Sequence, residues 1–223
     1  MARTRAMALR LLDLWRRLAL VYQTRDLLNA LTFQLRVTKT AGIMQEFWIF
    51  GYGSLMWRPG FEYLERRLAL LRGAHRSLCV YSHVHRGTPE HPGLVLGLDT
   101  GGSCKGVAFR VSEANWEATI AYLREREQVT MVYREAVRPI LLGGESPMEA
   151  LVYLIDRKHP QYSGKLGLDQ QMSFILQGRG VSGSCPDYVR STVEHLRELG
   201  IHDSELEAIY AKLDREALLS HTR

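Results

Sequence analysis

The chain has 223 residues, 46% of them hydrophobic and 24% charged, which is enough to bury a sizeable core within one domain. Its formal charge of +5 hints at a polyanion partner, but residues 1–43 carry 8 Lys/Arg against 2 Asp/Glu and the remainder is close to neutral, so nucleic-acid binding is not indicated. Cys79, Cys104 and Cys185 lie far apart without a C-x-x-C pair, which argues against a disulfide framework or cysteine zinc site and makes a reducing cytoplasm the default; no apolar run reaches the roughly 18–20 residues of a membrane span.

The first 43 residues interleave Leu11, Leu12, Leu14, Leu18, Leu20 and Val21 with Arg10, Arg16, Arg17 and Arg25. Three readings compete: a surface helix docked on the body, an acid-poor targeting or membrane-surface segment, and an upstream extension outside the fold. The composition shifts at Met44, which favours the third. The expected organisation is a basic N-terminal extension over 1–43 and one domain over 44–223.

Next comes Phe47-Trp48-Ile49-Phe50-Gly51-Tyr52-Gly53-Ser54-Leu55-Met56-Trp57. An apolar run stopping at two glycines reads as a buried strand that empties into a tight loop. Gly51 and Gly53 lack a Cβ, so the chain is expected to turn there with φ > 0 and to let a ligand approach the main chain. Successive N–H groups in such a concave turn suit anionic oxygens. Further strands are expected at Ser77–Ser82, Leu94–Leu98, Lys105–Val111, Val132–Leu142 and Leu151–Asp156, with Gly87, Pro89, Pro92, Gly93, Gly101 and Gly102 marking turns.

Ser112 is a plausible N-cap for a helix through Trp116, Ile120 and Leu123, whose spacing of four and three forms one inward stripe. Four residues on, Glu127 falls on the same stripe, because eleven steps of about 100° end within roughly 20° of three full turns. A carboxylate turned inward loses water and its pKa rises, the tuning a general base needs near neutral pH. The competing reading is a structural ion pair with Arg126, Arg134 or Arg138. A second helical region covers Asp187 to the C-terminus, broken near Gly200, with Ser204 and Glu207 offering a capping box. Strands around one central helix, closed by terminal helices, predict an α+β domain with a curved or barrel-like sheet.

Four blocks in order resemble the ChaC family of γ-glutamylcyclotransferases: Phe50-Gly51-Tyr52-Gly53-Ser54-Leu55; His85-Arg86-Gly87-Thr88-Pro89-Glu90 with Pro92-Gly93; Arg126-Glu127; and Gly180-Val181-Ser182-Gly183-Ser184-Cys185-Pro186-Asp187-Tyr188. The resemblance runs from about Phe47 to Tyr210. It implies a compact mixed β-barrel with flanking helices and cleavage of a γ-glutamyl amide, typically in glutathione, to 5-oxoproline and Cys-Gly. By position it implies that Gly51, Tyr52, Gly53, Ser54, Leu55 and Met56 form the substrate-binding loop, that Glu127 is the catalytic glutamate, and that Tyr188 lies near the site. It implies a small-molecule γ-glutamyl substrate, and neither cofactor nor metal. Met131 departs from a frequent glycine, and Val181 and Cys185 from a frequent proline and asparagine, which bears on pocket shape.

Rival readings attach to the same residues. A serine hydrolase would use Ser54, but the second half of a G-x-S-x-G elbow is missing. His83, His85 and His91 could seed a metal site, with His83 and His85 on one strand face, yet no carboxylate or cysteine completes the set. The glycines lack the third position of a dinucleotide fingerprint. A non-catalytic γ-glutamyl or anion-binding module of the same fold is the remaining alternative.

Overall fold

The computed structural model describes residues 46–128, 130–143 and 146–221, so the basic extension expected over residues 1–43 lies outside the described residues. Five strands form a closed barrel in the order β1-β3-β2-β4-β5: β1 Phe47–Gly51, β2 Glu65–Ser82, β3 Gly93–Val111, β4 Tyr133–Leu141 and β5 Met148–Ile155. All neighbours run antiparallel except β1 and β5, which close the barrel in parallel with Trp48 opposite Ala150. Closure leaves the barrel without a free edge. A single 3-10 turn, Ser54–Met56, follows β1.

Helix α1, Glu113–Glu127, crosses from β3 to β4; α2 (Leu168–Gln177), a two-residue ribbon β6 (Arg179–Gly180) and β7 (Gly183–Ser184), α3 (Cys185–Glu198) and α4 (Ser204–His221) follow. The barrel interior is filled by Phe50, Leu71, Leu98, Ile140 and Val152, each almost wholly buried, and this core continues into Met172, Ile175, Val189, Val193, Leu196 and Ile209 of the outer helices. Trp116, Ile120 and Leu123 of α1 are buried as their spacing predicts, and the Trp116 ring packs on Phe47 at 4.9 Å. No helix among the described residues is long and apolar enough to cross a membrane.

Four expectations change. The stretch from Leu94 to Val111 is one long strand, because Gly101 and Gly102, at φ 98° and 67°, lie opposite a bulge between Arg72 and Ala74 and bend the hairpin where a turn was expected. Its partner β2 begins twelve residues earlier than the expected Ser77, since the charged half Glu65–Arg76 pairs with Arg110 through Leu98. The α2 helix was not anticipated, although Met172 and Ile175 are both buried three apart and the Gly167 N–H donates to the Gln170 side chain at 3.1 Å. At α4 the expected Ser204–Glu207 box is replaced by Asp203, whose Oδ1 accepts from the Leu206 N–H; Glu207 instead pairs with Arg197. The α3 helix ends at the expected place, with Gly200 at φ 66°.

Candidate active site

Strand β1 is buried along its whole length and delivers the chain into Tyr52–Met56. Neither Gly51 nor Gly53 adopts a positive φ; Gly53 sits at φ −129°, ψ −132°. What Gly51 supplies is space. A Cβ on Gly51 would stand 3.0 Å from the Leu55 Cβ, where the chain doubles back. The turn is closed by Met56 N–H to Gly53 O at 2.9 Å and Arg58 N–H to Ser54 O at 2.8 Å. The N–H groups of Ser54 and Leu55 precede its first hydrogen bond and, among the described residues, are left for another acceptor. Leu55 and Met56 put their side chains into the core, and the Met56 N–H is already bonded.

Beneath this turn lies Arg76 of β2, only 8% exposed. Its Nε donates to Tyr52 O at 2.6 Å, its Nη2 to Lys105 O at 2.7 Å, and its Nη1 pairs with Asp203 at 3.3 Å. A buried guanidinium satisfied on three sides fixes the loop backbone in one conformation. Arg76 carries no local signal in the sequence, because its partners lie 24, 29 and 127 residues away.

Glu127 is the last residue of α1, and its side chain is 17% exposed. Ser112 caps the other end through Asn115 N–H, which sets the helix phase and so the direction of the Glu127 side chain. Burial pushes the Glu127 carboxyl above its ordinary value, and the Arg126 guanidinium, with Nε 3.1 Å from Glu127 Oε1, opposes that rise. The same guanidinium donates from Nη2 to Ser54 Oγ at 3.0 Å. One arginine side chain thus separates the carboxylate from the glycine-bracketed turn.

Phenols complete the surroundings. Tyr133 of β4 donates its hydroxyl proton to Leu96 O at 2.7 Å, and the Tyr188 hydroxyl of α3 accepts from Leu96 N–H at 3.3 Å. The hydroxyls of Tyr52, Tyr133 and Tyr188 are all pushed up, first by burial and also by the negative charge of Glu127. A Cβ on Gly53 would lie 3.9 Å from the Tyr188 hydroxyl, which brings the first and last of the four sequence blocks together. The second block joins them through Arg86. Its Nη1 donates to the carbonyls of Ser182 and Ser184, and its guanidinium lies 5.2 Å from the Tyr188 ring centroid. Gly180 must be glycine, because a Cβ there would be 2.3 Å from Val84 O. Tyr133 and Leu96 carried no role in the sequence reading; the tyrosine two residues after Met131 was the available signal.

His83 and His85 do not share a strand face, because β2 ends at Ser82 and both lie in the following loop, where His85 Nδ1 bonds Ser182 Oγ at 3.0 Å. Ser54 Oγ is bonded by an arginine and not by a histidine, which leaves it without a general base to make it a nucleophile. Cys185, buried at the first position of α3, donates its S–H to Leu94 O, and its thiol is pushed up to about 11 by burial, the behaviour of a space-filler.

A family model described as ChaC-like protein matches residues 47–216. The glutathione-specific γ-glutamylcyclotransferase of Escherichia coli (strain K12) is 35% identical over 159 residues, covering 71% of this chain and 69% of the relative. The glutathione-specific γ-glutamylcyclotransferase 1 of Homo sapiens is 33% identical over 174 residues, covering 75% and 78%. Among solved structures, a yeast γ-glutamylcyclotransferase specific to glutathione superposes with a TM-score of 0.70 at 21% identity, covering 76% of this chain and 96% of the other. That last likeness establishes the shared fold.

Proposed function

The chain belongs to the ChaC-like family, and from that membership we propose that it is a γ-glutamylcyclotransferase that cleaves glutathione to 5-oxoproline and Cys-Gly. The reaction needs no nucleophile from the enzyme. The substrate's own α-amine attacks its γ-carbonyl, a five-membered lactam closes, and the amide bond to cysteine breaks. The protein's task is alignment, since holding amine against carbonyl is worth up to roughly 7–11 kcal/mol.

The observation that carries this reading is the placement of Glu127, 17% exposed at the end of α1 and joined through Arg126 to the Ser54 turn. In our assignment the N–H groups of the Gly51–Met56 loop hold the substrate α-carboxylate. Glu127 takes a proton from the amine as the ring closes and returns it to the departing cysteine nitrogen, a role worth about 10²–10⁴-fold. Tyr188 accepts a hydrogen bond from Leu96 and gives its own proton to no group among the described residues, so that proton serves the oxyanion forming on the γ-carbonyl. Tyr52 belongs to the same electrostatic neighbourhood, its hydroxyl pushed up by burial first and then by the charges of Tyr133, Glu127 and Tyr188.

The catalytic domain is assigned to residues 44–223. A cytoplasmic setting suits the three free cysteines, all buried, with Cys79 pushed up to about 12 and Cys104 to about 11 by loss of water. A non-catalytic binding module would hold glutathione and return it unchanged. Incubating the purified chain with glutathione and a panel of γ-glutamyl dipeptides, and following 5-oxoproline by chromatography, separates the two. We expect equal amounts of 5-oxoproline and Cys-Gly from glutathione, and bound but intact glutathione would overturn the enzyme reading.

A further inference from the structure

Arg126 spends its guanidinium in an unusual way for a residue in the last turn of α1. Nε faces Glu127 Oε1 at 3.1 Å, Nη2 donates to Ser54 Oγ at 3.0 Å, and Nη1 is shared among Arg58 O at 2.5 Å, Pro59 O at 3.1 Å and the Tyr122 hydroxyl at 3.1 Å. Both terminal nitrogens donate hydrogen bonds and Nε stands in ion-pair contact with Glu127, and the partners belong to two elements: α1 and the segment Ser54–Pro59. The side chain is 22% exposed, so this fork is shielded from most competing water. A planar fork reaching two elements constrains both position and angle, which a point charge does not.

We propose that Arg126 is a positioning residue that locks the Glu127 carboxylate and the Ser54 turn into one unit, so that the base and the anchor for the substrate keep a constant separation. The proposal rests on the assignment of Glu127 as the general base. It gives one residue two separable effects. Through Nε, the cation favours the ionised form of Glu127 against burial; through Nη2 and Nη1, it sets the loop. Among the described residues, the other titratable groups whose charge couples to Glu127 are the hydroxyls of Tyr52 from the loop after β1, Tyr133 from β4, Tyr153 from β5 and Tyr188 from α3. All four are pushed up and stay neutral through the working pH range, so the cation acting on Glu127 is Arg126. Tyr153 is in addition held by Glu135, itself gripped by Arg124.

The test is the pH dependence of kcat/KM for glutathione in the full chain, for wild type, Arg126→Gln, Arg126→Lys, Ser54→Ala and Glu127→Gln, with folding checked by circular dichroism. Arg126→Gln is expected to move the acid limb upward by on the order of one pH unit. Arg126→Lys keeps the cation and should leave the limb near its wild-type pH, while KM rises because a lysine cannot serve both elements. Ser54→Ala should raise KM with the acid limb unmoved, and it decides the loop half if Arg126→Gln does not fold. If Glu127→Gln is inactive yet the Arg126 variants keep the wild-type limb and KM, the role of Arg126 is wrong and the base assignment stands. If Glu127→Gln turns over glutathione normally, both fall together.

Discussion

Burying a carboxylate at the end of α1 has a thermodynamic signature of its own. Folding raises the Glu127 pKa above the ordinary 4.5, by burial first and with Arg126 in opposition. The folded state therefore prefers the protonated acid. That preference adds stability fully below the unfolded value and loses it as pH rises through the folded pKa, so at neutral pH the ionised side chain is a net burden. Glu127→Gln is accordingly expected to melt at a higher temperature than wild type at pH 8, with the difference shrinking as pH falls toward 4.5. Calorimetry at pH 8 and pH 5 measures it, and a melting temperature that falls at pH 8 would mean the Arg126 pair outweighs desolvation. A second residue-scale cost sits at Met131, whose φ of 58° is the left-handed conformation that suits glycine. Its side chain is 44% exposed and packs little. Relieving a strain of roughly 1–2 kcal/mol, less the entropy a glycine adds to the unfolded chain, Met131→Gly should raise stability to urea by up to about 1 kcal/mol. A loss instead would show that the Met131 side chain does more than occupy the turn.

Elements meet where side chains are absent. Gly106 of β3 lies against β1 so tightly that a Cβ would stand 2.3 Å from Gly51 O and 2.7 Å from the Phe50 ring. Neither neighbour can yield cheaply, since one is backbone and the other fills the barrel core. Gly106→Ala should lower unfolding stability by about 1–3 kcal/mol and, by displacing Gly51, also reduce glutathione turnover. Unchanged urea midpoints would contradict this packing. The same scale separates what could be read along the chain from what could not. The α1 helix was legible because Ser112, Trp116, Ile120 and Leu123 are local signals of cap and period. The long hairpin was not, because Gly101 and Gly102 mark turns in most sequences and here bend a continuous strand opposite the Arg72–Ala74 bulge. Nor was the charged half of β2, whose alternation is blurred by Arg66, Arg67 and Arg72.

For the molecule as a whole, the barrel gathers four distant sequence blocks at one place: the turn after β1, the loop before β3, the end of α1 and the start of α3. The inward direction of Glu127 is legible by periodicity, as is its competing ion pair with Arg126, and the tight turn after β1 by its glycines, though not by the positive φ expected of them. Arg76, Tyr133 and the Leu96 backbone were not, since each matters only through contacts closed by the barrel. The tie of Arg126 to Ser54 spans 72 residues and belongs to the same class. The most direct measurement is the rate of 5-oxoproline release from glutathione by Glu127→Gln, with glutathione binding followed in parallel by calorimetry. A rate lower by about 10²–10⁴-fold with binding retained is expected. Release at the wild-type rate would contradict it.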